Sequence, residues 1–186
     1  MKPDNAFMLE LTANMPCKQI NVNDSPYIQR MYAGKFANQI GETDLWFHRF
    51  LSGDGDEHLH WHPMNMRSSV LCGSYREEYL LDGEKLERTI YPGDASRNFL
   101  INLCAKAELN HPLRKIPDRT RRIGMHDIHR IAEVQPGTWS MLLVEPERVP
   151  VWGFIDNNGN IETRPTSGRY WWKEFNSRGH NAGDVC

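Results

Sequence analysis

The stretch that decides the fold is SSVLCGSYREEYLLDGEKLERTIYPGD, residues 68–94. Asp82-Gly83 marks a two-residue hairpin turn, because both central positions of such a turn need a positive φ that Asp and Gly tolerate. SSVLCGSYREEYLL (68–81) reads as one bent strand or two, broken near Gly73, with KLERTIY (85–91) as the return strand. Pro92-Gly93-Asp94 then turns the chain again. The same grammar repeats on both sides. LWFHRFL (45–51) and EHLHWH (57–62) precede the hairpin, and HDIHRIAEV (126–134), WSMLLVE (139–145) and VPVWGFID (149–156) follow it. Gln135-Pro136-Gly137 and Asn158-Gly159 punctuate this second half. Short strands divided by Gly, Pro and Asn-Gly turns predict an all-β sandwich or barrel.

Residues 1–43 have a different texture. In PYIQRMYAGKFANQI (26–40), Ile28, Met31, Tyr32 and Phe36 recur at i, i+3, i+4 and i+8, and Ser25 precedes Pro26 as a cap. That pattern predicts a helix, which Gly34 weakens. The expected organisation is an N-terminal extension with one helix (1–43), a β domain (44–176) and a loose tail (177–186). RYWWKEF (169–175) reads as a short helix or a closing strand.

A chain of 186 residues with 39% hydrophobic and 25% charged content has the means to bury one core. Lys and Arg number 22 against 24 Asp and Glu, a net charge of −2 that supplies no global field for nucleic acid or anionic lipid. RKIPDRTRR (114–122) is locally basic but carries no aromatic residue, so a solvated loop is expected rather than a nucleic-acid patch. No apolar run approaches the roughly 20 residues that span a bilayer, so no membrane partner is expected. Asp4 and Glu10 interrupt the place of a signal peptide's apolar segment. Cys17, Cys72, Cys104 and Cys186 are scattered without a C-x-x-C pair. Cys72 and Cys104 sit in apolar settings that suit buried free thiols and a reducing cytoplasm.

The chemistry concentrates in histidine. Three of the eight, His58, His60 and His62, lie in DEHLHWHPM. On a strand, residues two apart share a face about 7 Å apart, so neighbouring imidazoles can converge on one ion. One strand cannot surround an ion, and His126 and His129 supply the further candidates. Being three apart, they face opposite sides of a regular strand, so at most one joins. The cysteine spacing excludes a thiolate zinc knot.

His60-Trp61-His62 followed by Gly73 resembles the first motif of the cupin superfamily: two His one residue apart, then a Glu, then a Gly. HRIAEVQPGTW, with His129, is similar to the second motif. HWHPMNMRSSVLCGSYREEY also resembles a group of cupin-like proteins, through Pro63, Gly73, Tyr75, Glu77, His129-Arg130-Ile131 and Trp152-Gly153-Phe154. The resemblance covers roughly residues 45–156. It implies an all-β, cupin-type double-stranded jelly-roll barrel with a partly helical N-terminal extension. Its metal ligands would be His60, His62 and His129, with His58 as a fourth by parity. The sequence departs from the motif at the Glu, where Met66 and Arg67 stand instead.

A three-His set leaves the charge of a divalent ion uncompensated, which favours an anionic substrate or hydroxide in its open positions. Three-His sites in this superfamily resemble those of thiol and diketone dioxygenases, so Fe(II) is the preferred metal, with zinc, nickel or manganese as alternatives. The expected catalytic side chains are Arg67, Tyr75 and Glu77. Arg67 would clamp a substrate carboxylate or else form a structural salt bridge, and Tyr75 would donate a hydrogen bond or relay a proton. Trp46, Trp61, Trp139 and Trp152 read as core. The expected function is that of an Fe(II) dioxygenase acting on a small anionic molecule. A cupin isomerase or epimerase, and a non-catalytic binding or structural module, stay open at this level. Pairing of two copies through sheet edges is implied by the resemblance alone.

Overall fold

The computed structural model describes residues 1–22, 25–38, 41–54, 58–113, 116, 120–149, 151–156 and 158–165. In chain order the elements are α1 (Asn5–Thr12), β1 (Cys17–Val22), β2 (Ser25–Asn38), β3 (Gly41–Phe50), β4 (Leu59–Trp61), β5 (Met64–Cys72), β6 (Tyr75–Leu81) and β7 (Glu84–Ile90). There follow α2 (Arg97–Glu108), β8 (Arg121–Ile123), β9 (His129–Val134), β10 (Trp139–Arg148), β11 (Val151–Ile155) and β12 (Ile161–Pro165). Strands dominate, and they form two six-stranded sheets. The first has the order β1-β2-β3-β10-β5-β8 and the second β12-β11-β4-β9-β6-β7. Every pairing between neighbours is antiparallel.

The deciding hairpin forms as its turn demands. Asp82 and Gly83 take φ of 53° and 84°, and β6 pairs with β7 from Leu81↔Glu84 to Tyr75↔Ile90. Upstream, the stretch from Ser68 divides at Gly73, whose φ is 72°. A Cβ there would lie 2.2 Å from Thr138 Oγ1, so only glycine fits.

Alternation then sorts the side chains. On the outer face of the first sheet, Leu45, Phe47, Met141 and Leu143 pack with Leu100, Leu103 and Ala107 of α2 and Met8 of α1. On the inner face, Trp46, Met64, Met66, Leu142 and Val144 form a second cluster, and Phe50 and Val70 join Tyr75 and Ile131 of the second sheet in a third. The core is therefore double: one layer beneath the helices, one between the sheets.

One expectation is corrected here. Residues 26–40 do not form a helix, because this stretch is β2. Its apolar positions serve two faces of a strand: Tyr32 packs with the inner Trp46 cluster, while Met31 and Phe36 belong to the outer one. A bulge between Tyr32 and Gly34 returns Phe36 to that outer face. Gly34 (φ 127°) lets α2 approach, since a Cβ there would lie 2.7 Å from the carbonyl of Ala107. The helical content of the N-terminal segment is α1 instead, capped by Asp4, whose side chain accepts from the Phe7 N–H at 2.9 Å. The expected division after residue 43 falls inside β3.

A further element, outside the strands read from the sequence, is α2, a twelve-residue helix. At 3.6 residues per turn it makes about three turns. Its signal is in the sequence. Ser96 caps it, and Leu100, Leu103, Cys104 and Ala107 bury one helical stripe. Cys72 and Cys104 are free thiols, and burial pushes them up to about 11 and about 12. No helix among the described residues is long and apolar enough to cross a membrane. The ending RYWWKEF lies outside the described residues, as do Arg114, Lys115 and residues 117–119 of the basic segment.

Candidate metal centre

Pro63 follows closely on β4 and keeps it to three residues. His60 sits at its centre, opposite His129 of β9 on one side and Phe154 of β11 on the other. Residues directly opposite one another share a face, so His60 and His129 meet by register alone. His62, two residues on, has the same parity. The three rings lie 5.0–5.3 Å apart by centroid, and one ligand atom from each lies within 4.8 Å of the other two. His62 Nε2 and His129 Nε2 are 2.8 Å apart. His58 is not part of this cluster, and neither is the exposed His126.

The rings are held from behind. His129 Nδ1 is hydrogen-bonded to Glu77 Oε1, and Arg121 Nη1 to Glu77 Oε2. Arg88 Nε donates to the same Oε2 at 2.7 Å. Glu77 is fully buried. Burial alone would raise its pKa, but the hydrogen bonds and charges of His129 and Arg121 outweigh it and hold the carboxyl at about 2. A carboxylate acceptor at Nδ1 places the proton there and leaves Nε2 of His129 as a lone-pair donor. On the other side, Asp54 Oδ2 stands 3.9 Å from His60 Nδ1 and accepts from the Ile131 N–H at 2.6 Å. Burial, then the fields of His129, His60, Arg30 and His48, keep His62 well below the usual histidine range. It is therefore neutral, as a ligand must be.

These residues fit a divalent ion. Their donor set is three convergent imidazoles, the commonest nitrogen ligands. Two Nε2 atoms of buried rings face each other, and His62 Nδ1 has no hydrogen-bond partner. Two ring nitrogens facing each other at this distance share at most one proton, and a cation between them would take both lone pairs.

The cluster opens into a cavity of about 390 Å³ between the inner faces of the sheets. Apolar side chains dominate its wall, among them Ile28, Phe50, Met66, Leu142, Val144 and Phe154. Trp152 closes over the histidines, its ring 4.8 Å from that of His62. It is therefore a pocket residue, whereas Trp46 and Trp139 are core. Trp61 lies across Gly153 on the other face of the second sheet.

The remaining expected residues separate. Tyr75 lines the cavity, and burial pushes its hydroxyl up to about 12, so it stays protonated. Glu77 is not on the cavity wall; it touches His129 from behind. Arg67 does not reach the cavity at all. Its neighbours Met66 and Ser68 face inward, and Arg67, half-exposed, points the other way, 3.8 Å from Glu145. The clamp expected there is replaced by the salt-bridge alternative, at a distance that makes it weak. Met66, on the inner face, cannot supply a carboxylate.

Several groups at or near the cluster and cavity escape sequence reasoning. Asp54 lies in a turn-like run, and Arg121 in the basic segment that reads as a solvated loop. Arg30 and His48 line the cavity too, joined by a hydrogen bond of 3.1 Å from Arg30 Nε to His48 Nε2. The signal for Arg30 is a charge flanked at two-residue spacing by Ile28 and Tyr32, visible only if the segment is read as a strand.

No family model and no curated protein matches this chain. Among solved structures, the crystal structure of Fe(II)-HppE with the alternative substrate (S)-1-HPP is similar at 11% identity and a TM-score of 0.44. The likeness covers 72% of this chain and 57% of that one, so the chain matches little more than half of its neighbour's length. So distant a likeness leaves the functional reading to the geometry of the site itself.

Proposed function

We propose that this protein is a mononuclear metal enzyme of the cupin type, with His60, His62 and His129 as ligands, Fe(II) as the preferred metal and an oxygenase reaction on a small anionic substrate. The observation that carries the reading is the convergence of three imidazoles at the wall of a largely apolar cavity, one of them oriented by a buried carboxylate. A bound divalent ion would supply Lewis acidity and, as iron, access to O2 chemistry. The chain's own residues do the rest. Glu77 fixes the tautomer of His129, and Arg121 and Arg88 keep Glu77 ionised. Trp152 and the apolar wall exclude water, and Tyr75 offers a hydroxyl that donates a hydrogen bond and retains its proton. Three neutral ligands leave the ion's charge to be met by the substrate.

Elemental analysis of protein purified without a His-tag tests this directly. About one equivalent of a divalent metal is expected, and His62→Ala should lose it, because two imidazoles hold such an ion weakly. With iron bound, nitric oxide should produce a new spin signal. Protein that binds no divalent metal after reconstitution would sink the reading.

A further inference from the structure

Across the cavity from the histidines, the first sheet carries a polar row on an otherwise apolar wall. Arg30 of β2 pairs with His48 of β3, and His48 pairs with Ser140 of β10, so the three side chains stand abreast on the inner face. Arg30 is the one Lys or Arg among the described residues on the cavity wall. Its Nε donates to His48, and its Cζ lies 5.2 Å from the ring of Trp46, so the guanidinium is fixed in orientation. Accepting that bond commits Nε2 of His48. Burial, then the charge of Arg30, keeps the ring well below the usual histidine range. Ser140 is 1% exposed, and its Oγ has no hydrogen-bond partner. A buried hydroxyl without a partner is rare in a folded protein, and this one lies on the cavity wall.

We propose that Arg30 and Ser140 hold the acidic head of an amphipathic monocarboxylate whose hydrocarbon body lies on Phe50, Met66, Leu142 and Val144. The reasons are chemical. A carboxylate is the group that accepts from both a guanidinium and a hydroxyl. The apolar wall disfavours a sugar, whose hydroxyls would be left unpaired. The cavity volume sits near the lower end of the roughly 300–1,000 Å³ typical of small-molecule sites. This assignment names the substrate class of the proposed enzyme and rests on that reading for turnover, but the anion site itself needs no metal.

Hexanoate and its uncharged analogue hexanamide are the probes, titrated calorimetrically into the full chain as purified and again after chelation. Hexanoate should bind at least tenfold more tightly than hexanamide in both states. Arg30→Gln should weaken hexanoate about ten- to a hundredfold, the equivalent of one charged hydrogen bond, and leave hexanamide unchanged. Ser140→Ala, which disturbs no charge, should weaken hexanoate severalfold. Should Arg30→Gln fail to fold, the comparison of the two probes and the Ser140→Ala result decide the matter. Equal affinity for the probes, hexanoate binding that vanishes on chelation, or no effect of Ser140→Ala and Arg30→Gln overturns the assignment. Intact discrimination in a protein that never takes up metal would instead sink the enzyme reading and leave the anion site standing.

Discussion

Glu77 shows how much one buried side chain can set. It accepts from His129, Arg121 and Arg88 at once, so it orients an imidazole of the cluster and pairs with two cations. Partners of this kind are worth about 10–100-fold in metal affinity. Glu77→Gln should therefore weaken Zn(II) or Fe(II) binding by that factor, measured by competition with a chromophoric chelator, in protein whose circular dichroism shows it folded. Unchanged affinity would reduce Glu77 to a fold-stabilising ion pair. Its neighbour Glu78 points to the other face of β6. Arg130 grips it with two hydrogen bonds of 2.6 and 3.0 Å, and Lys85 adds a third contact at 2.6 Å. The hydrogen bonds of Arg130 and then Lys85 outweigh burial and hold Glu78 at about 2, against roughly 4.3 in an unfolded chain. The folded-state pKa is depressed, so the stabilisation is fully present above the unfolded value and is lost as pH falls through about 2. Thermal midpoints of the wild type should drop over that window, and those of Glu78→Gln should drop less steeply.

At the scale of elements, β4 carries two of the three clustered histidines in its immediate reach, and Gly153 keeps it in place. An added Cβ at Gly153 would lie 1.7 Å from Trp61 Cζ2, inside the ring that β4 lays across β11. Gly153→Ala should cost about 1–3 kcal/mol by overpacking, read from the urea midpoint. Because Trp61 lies between His60 and His62, the same substitution should also lower metal content; stability loss with full metal content would show that the histidines do not depend on this contact. Which elements are legible follows from what the sequence can encode locally. The Asp82-Gly83 hairpin, the break at Gly73 and the alternation in HLHWH announce themselves, because turn chemistry and parity act within a few residues. Parity admits only one of His126 and His129, and the pairing of His60 with His129 decides which. β2 is different: its two faces are both buried, one under α2 and one over the cavity, and a two-sided strand with a bulge imitates a helical period. Misreading it hides Arg30, and with it the row that includes His48. Arg67 fails for a related reason. Counting from His62 places it near the missing Glu, but the alternation of β5 turns Met66 inward and Arg67 out.

The whole molecule has a seam at the middle of the second sheet. β12, β11 and β4 lie on one side of it, and β9, β6 and β7 on the other, with His60↔His129 the one registered pair among the described residues that joins β4 to β9. Every other neighbouring pair of strands is joined by at least three registered pairs. A metal held by His60 and His62 from one side and His129 from the other would staple the sheet where its hydrogen bonding is thinnest. The two helices pack on the far face of the other sheet and have no such dependence. Chelation should therefore loosen the molecule unevenly. Amide exchange should accelerate in β4, β9 and β11, while α2 and the β3–β10 pairing keep their protection. Free metal at about a hundred times its dissociation constant adds about 2.7 kcal/mol, which for a chain of this size corresponds to roughly 5–11 °C in Tm. Readdition of the metal should restore both the midpoint and the protection of β4. A uniform loss of protection across both sheets would mean that the ion stabilises the fold as a whole; no loss anywhere would mean that the three histidines close the seam without it.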